Sequence, residues 1–154
     1  MNIKSIKTHR LTQTSIDKDN LINVKYPFKS VSNKYKNEME YNMKIAFTTK
    51  GTEWDSPMDP RFGRTDYFLI YDEEKDELTS IDNTDINEVA HGAGPRTAQK
   101  LFEQKPDVLI TGNGPGGNAA MALKQGNIKI FTGAGTMTAK EAYDAYKKGD
   151  LSEF

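Results

Sequence analysis

The sequence predicts an α/β protein in which short helices alternate with the strands of one sheet. Short apolar runs of strand length recur, each bounded by glycine, proline or charged clusters. Beyond residue 90 these runs alternate with segments whose apolar residues repeat at helical spacing. A glycine-rich turn precedes each helical segment, the pattern of helices that cross over between parallel strands.

Lys44–Thr49 is a β-rich run and the expected first strand. A long polar loop follows, Lys50–Arg64, whose Gly51, Pro57, Pro60 and Gly63 make it turn repeatedly. Tyr67–Tyr71 is the second strand and Glu77–Asp82 the third. The charged turn Glu73-Glu74-Lys75-Asp76 makes the pair a hairpin. The pattern then switches. Pro95 fits a first helical position, where its missing N–H is no loss, so a helix is expected over Arg96–Gln104. Ala98, Leu101 and Phe102 mark its buried stripe, and Pro106 ends it. Val108–Thr111 is the fourth strand, Asn118–Lys124 a short helix closed by Gly126, and Ile128–Phe131 the fifth strand. Thr138-Ala-Lys-Glu141 is a capping box for a third helix, which Gly149 closes. Strands four and five should be parallel and joined right-handed.

The 154 residues suit one ordinary domain, and the net charge is −1, so the totals do not indicate a basic nucleic-acid binder. The absence of cysteine excludes disulfides, cysteine nucleophiles, thiolate zinc sites and thiolate-held iron–sulfur clusters. With only His9 and His91, a multi-histidine metal site within one chain is not expected. No run reaches the ~18–20 apolar residues of a membrane span, and no apolar leader opens the chain. A cytoplasmic protein is therefore expected. The totals hide an asymmetry: residues 1–42 carry net +4 and residues 43–154 net −5. The first segment has scattered apolar residues, with a short strand possible near Leu21–Lys25. It reads as a poorly ordered basic extension, whether an upstream start, an expression leader or a family-specific arm. The second, 43–154, reads as the single folded domain.

Three glycine loops, 91–95, 112–117 and 133–135, each run into a helix start. Two of them follow parallel strands, which places them at the carboxyl edge of the sheet, where open α/β sheets bind ligands. Helix starts offer unpaired N–H groups and the positive end of a dipole, and glycine lets a ligand approach the backbone. The chemistry favoured is anion binding. The candidate residues are Gly92, Gly94, Gly112, Asn113, Gly114, Gly116, Gly117, Asn118, Gly133 and Gly135, with Arg61, Arg64 and Arg96 adding positive charge. Neither a Walker pattern nor a dinucleotide G-x-G-x-x-G is present. His91 opens the first loop as a structural hydrogen-bonding residue, a metal ligand, a proton donor or a donor to an anionic sulfur. Asp55, Asp59 and Asp66 read as solvated loop residues, and Trp54 as a packing residue.

Residues 43–149 resemble the dinitrogenase iron–molybdenum cofactor biosynthesis family. The resemblance rests on ordered motifs: M-K-I-A-F-T-T at 43–49, D-S-P-M-D-P-R-F-G-R at 55–64, Y-F-L-I-Y-D at 67–72, H-G-A-G at 91–94, V-L-I-T-G-N-G-P-G-G-N-A at 108–119 and G-A-G-T at 133–136. It implies a ribonuclease H-like three-layer fold with a mixed five-stranded sheet and about three helices. It also implies non-enzymatic binding of a metal–sulfur cluster or its precursor, of the molybdenum, iron or copper sulfide type and held without covalent ligands. A cluster-donor or acceptor protein would be its partner. Many relatives carry His immediately before the Phe-Gly of the F-G-R in the 55–64 motif; here that position is Arg61, whose charge could attract an anion instead. The family's G-P-N-A element appears here with an extra Gly116-Gly117.

A cluster carrier is the first functional reading. A small enzyme acting on an anionic metabolite, with His91 as acid–base, is a second. An interaction module with structural glycine loops and a binding arm is a third. A two-metal nuclease is not supported, because Lys44–Thr49 holds no carboxylate.

Overall fold

The computed structural model describes residues 43–154; the expected extension 1–42, with its strand near Leu21–Lys25, lies outside the described residues. The strands are β1 Lys44–Thr49, β2 Tyr67–Asp72, β3 Glu77–Asp82, β4 Val108–Ile110, β5 Lys129–Thr132 and β6 Ser152–Glu153. They form one mixed sheet in the order β3-β2-β1-β4-β5-β6. β1 is parallel to β4 and β4 to β5, while β2, β3 and β6 pair antiparallel to their neighbours. The α/β class is as expected, but among the described residues the sheet has six strands rather than five. The sixth was illegible because Ser152–Glu153 is two exposed polar residues with no apolar period.

The α-helices among the described residues are α1 Ala93–Phe102, α2 Gly117–Gln125 and α3 Ala139–Lys148. α1 begins three residues earlier than its proline suggests. Gly92 sits in the left-handed region at φ 77°, where glycine carries no Cβ penalty, and turns the chain into the helix at once. Pro95 then falls at the third helical position, still among the N–H groups that have no helical acceptor. α3 matches expectation: the Thr138–Glu141 capping box is formed and Gly149 closes the helix in the left-handed region.

Side-chain alternation along the strands sorts the core into two layers. Ala46, Phe68, Ile70, Leu109 and Ile130 face α1 and α2, packing with Ala98, Leu101, Ala119 and Leu123. The opposite face carries Phe47, Tyr71 and Phe131, which meet Trp54 and the α3 residues Tyr143 and Tyr146. Each fully buried Ile, Leu or Phe contributes about 1.5–3 kcal/mol. β1 is buried along nearly its whole length because both its faces are covered, whereas β3, at the sheet edge, buries only every third residue in part.

On the α3 face, Glu73 accepts hydrogen bonds from Tyr143 Oη (2.7 Å), Lys147 Nζ (2.8 Å) and the Met43 N–H (3.0 Å). Burial alone would raise its carboxyl. The bonds from Lys147, Met43 and Tyr143 outweigh that and hold it below the usual carboxylate range. A depressed folded pKa favours folding above the unfolded value of 4.5, and that contribution is lost as pH falls through the folded pKa. Glu73→Gln should therefore lower Tm at pH 7, and the gap to the parent protein should close at pH 3 in paired thermal scans.

Candidate functional site

The register places the glycine loops on one edge. Thr49, at the end of β1, pairs with Tyr67, and Tyr67 pairs with Asp82, so β3 also ends at the carboxyl edge. Phe47 pairs with Ile110 and Ile110 with Phe131, which brings the exits of β4 and β5 to the same level.

The long polar loop ties these exits together. Asp59 N–H donates to the Thr48 carbonyl (2.8 Å), and the Thr48 hydroxyl donates back to the Asp59 carbonyl (2.8 Å). Met58 N–H reaches the Met137 carbonyl at 2.9 Å. Pro60 then wedges between the second and third loops: a Cβ on Gly112 would lie 2.5 Å from Pro60 Cα and 2.8 Å from Gly135 Cα. Asn113 N–H donates to the Pro60 carbonyl at 2.8 Å. Phe62 is buried and packs 5.9 Å from the Phe68 ring. Gly63 lies against the backbone of Gly94 in α1, and the Thr97 hydroxyl donates to the Gly63 carbonyl at 3.2 Å. Residues 57–64 thus form a strap that crosses all three glycine loops.

The three helix starts are not equivalent. Neither α1, at Gly92, nor α2, at Gly116, has a side-chain cap. The start of α3 is closed: its capping box takes the Thr138 and Glu141 N–H groups, the Ala139 and Lys140 N–H groups donate to the carbonyls of Ser56 (3.0 Å) and Trp54 (2.9 Å), and Glu141 adds negative charge there. Gly133 donates its N–H to the Gly112 carbonyl at 2.9 Å, and Gly135 packs against Gly112. The third loop therefore buttresses the second.

The charged residues divide likewise. Arg61 is exposed on the strap. Arg64 is half-buried, and its guanidinium donates to the carbonyls of Ile86 (3.3 Å) and Val89 (3.1 Å), pinning the segment that leads to His91 and Gly92. His91 and Arg96 are exposed. The Asp85 carboxyl is held low chiefly by its Lys100 hydrogen bond, with burial opposing and the Arg96 charge adding to the effect. Gly116, Gly117 and Asn118 are exposed, while the Phe154 ring lies over Gly114 with Lys124 Nζ 5.2 Å from its centroid. Among the described residues no three His, Cys, Asp or Glu side chains gather as a metal-holding group. No described helix is long and apolar enough to cross a membrane.

Of the strap residues, the sequence singles out Arg61 and Arg64 as candidate site residues but not Asp59, Pro60, Phe62 or Gly63. Asp59 is not solvated: it is fully buried, its Oδ1 accepts the Arg61 N–H at 2.9 Å, and its Oδ2 has no hydrogen-bond partner. The available signal was Asp-Pro-Arg, since an aspartate that accepts the N–H two residues on makes a local turn. Trp54 packs as expected, 5.0 Å from Tyr71 and 5.7 Å from Tyr143.

Residues 42–149 match the family described as dinitrogenase iron-molybdenum cofactor. The chain belongs to this family. Among solved structures, the apo form of the orange protein from Desulfovibrio gigas is 31% identical, with a TM-score of 0.68 over 74% of this chain and 94% of that one. A NifB-like protein of the DUF35 family from Thermotoga is 35% identical, with a TM-score of 0.62 over 72% of this chain and 92% of that one. No curated protein matches the chain. Membership of the iron-molybdenum cofactor family associates the chain with binding or carrying related to a metal cluster.

Proposed function

We propose that the protein binds and carries an anionic metal–sulfur cluster, or its precursor, without turning it over. The observation that carries this reading is the space at Gly116 and Gly117. Gly116 has an ordinary extended backbone at φ −60°, and a Cβ at either residue would meet nothing within 4 Å. Neither backbone conformation nor packing asks for glycine there, whereas a bulky ligand seated on the helix start does.

In this reading the cargo is a molybdenum, iron or copper sulfide species lying over the uncapped starts of α1 and α2. The N–H groups of Ala93, Gly94, Gly117 and Asn118 face it, while Arg61, Arg96 and His91 supply charge or a donor. Arg64 and the 133–135 loop hold the frame. The domain is residues 43–154, the compartment the cytoplasm, and the partner a protein that donates or accepts the cluster rather than a nucleic acid or a membrane.

An anaerobic titration of the isotope-labelled protein with tetrathiomolybdate tests this. Saturable amide shifts are expected at 61–64, 91–96 and 112–118, with smaller ones at 133–136. Shifts reproduced equally by phosphate would point to a general anion pocket, and no shift at millimolar ligand would sink the reading. Gly117→Ala separates binding from stability. It should stabilise the fold by about 0.4–1 kcal/mol, because the unfolded chain loses freedom and nothing clashes. It should also weaken tetrathiomolybdate binding by roughly fivefold or more, the weight of about 1 kcal/mol. Unchanged affinity would show that the ligand does not use this space.

A further inference from the structure

The buried carboxylate under the strap has an unexplained oxygen. Asp59 is 0% exposed, and both its backbone groups are held by Thr48. Oδ1 accepts the Arg61 N–H at 2.9 Å and faces Arg61 Nε at 3.5 Å, the outer limit of a hydrogen bond. Oδ2 has no partner. A buried carboxylate oxygen left without a donor is costly and calls for a reason.

The backbone around Arg61 is fixed on both sides. Pro60 is wedged on Gly112 and Gly135, Phe62 is buried, and Gly63 is seated on Gly94. Only the Arg61 side chain, 61% exposed, is free to reorient. A guanidinium can pair side-on with a carboxylate through Nε and one terminal nitrogen. Such a seat would satisfy Oδ2 and turn the other terminal N–H groups outward, away from the carboxylate.

We propose that Asp59 is the positioning residue for anion binding at this edge: it seats Arg61 side-on, so that the outward N–H pair grips a tetrahedral thio- or oxo-anion lying over the helix starts. The inference rests on the carrier reading above. It makes the guanidinium the shared cation between a fixed carboxylate below and the bound anion above. The filled site completes the pair that is half made here.

The sign of the Asp59→Asn effect decides the matter. Simple electrostatics makes removal of a negative charge favourable to an anion. Positioning makes it unfavourable, because the amide cannot hold the guanidinium. Tetrathiomolybdate affinity should be measured for the full chain and for Asp59→Asn, Arg61→Ala and the double variant, each with its Tm. Asp59→Asn and Arg61→Ala are each expected to weaken binding about tenfold, the weight of one charge-assisted hydrogen bond. The double variant should bind no worse than Arg61→Ala alone. Equal or tighter binding by folded Asp59→Asn, or losses that multiply in the double variant, would overturn the proposal and leave the carrier reading standing. No binding by the parent chain would remove both. Should Asp59→Asn fail to fold, Arg61→Lys decides: it keeps the charge but not the fork, so affinity near the parent value overturns the proposal and a loss near that of Arg61→Ala supports it.

Discussion

Gly112→Ala is expected to lower stability by about 3 kcal/mol, the upper end for overpacking, because both obstructing groups are backbone. The new Cβ would lie 2.5 Å from Pro60 Cα and 2.8 Å from Gly135 Cα. Neither can rotate away as a side chain would. The second loop must separate from the strap or the third loop, which puts the Asn113–Pro60 and Gly133–Gly112 hydrogen bonds at risk. Urea unfolding should show a lower midpoint, and amide shifts should spread along 58–63 and 133–137. Gly114→Ala is the control. There the three atoms nearest the Cβ all belong to the exposed Phe154 ring, which can swing into solvent, so the cost should stay under about 1 kcal/mol. Comparable losses at both positions would mean that the strap does not lock the loops.

Phe62→Ala should cost about 3–5 kcal/mol, the range for removing a buried aromatic ring. Phe62 is 2% exposed and belongs to the core that faces α1 and α2. For a domain of this size that is roughly 10–20 °C in Tm by thermal unfolding. The loss should also reach function. Phe62 is the anchor between Arg61 and Gly63, so an emptied site frees the strap from the core. Thiomolybdate binding should weaken even at temperatures where the variant is fully folded. A variant that unfolds early but binds normally at low temperature would separate the strap from the site.

Much of the fold was legible because local rules and global needs agree. The hairpin at Glu73–Asp76, the capping box at Thr138 and the buried run at Lys44–Thr49 each follow from residue chemistry within a few positions. α1 begins three residues before the start that Pro95 suggests, because proline tolerates more than one position in a first turn and Gly92 decides which. β6 has no signal of its own in the sequence, because a two-residue edge strand is defined by its partner Phe131–Thr132. The candidate site was legible as three glycine loops and a set of arginines. Which of them face outward was not. The Thr138 box closes one helix start, and the Arg64 guanidinium is used on the carbonyls of Ile86 and Val89.

The sequence by itself determined the α/β class, the order of the elements from β1 to α3 and the concentration of glycine at the strand exits. Those properties rest on periodicity, turn chemistry and capping, which act between neighbours in the chain. Only the tertiary structure decided that 57–64 straps the loops together, that Asp59 is buried with an orphan oxygen, and that two of three helix starts stand open. The physical reason is distance in sequence. Pro60 meets Gly112 and Gly135, and Gly63 meets Gly94, across dozens of residues. No local preference of a proline or a glycine states which backbone it will be pressed against.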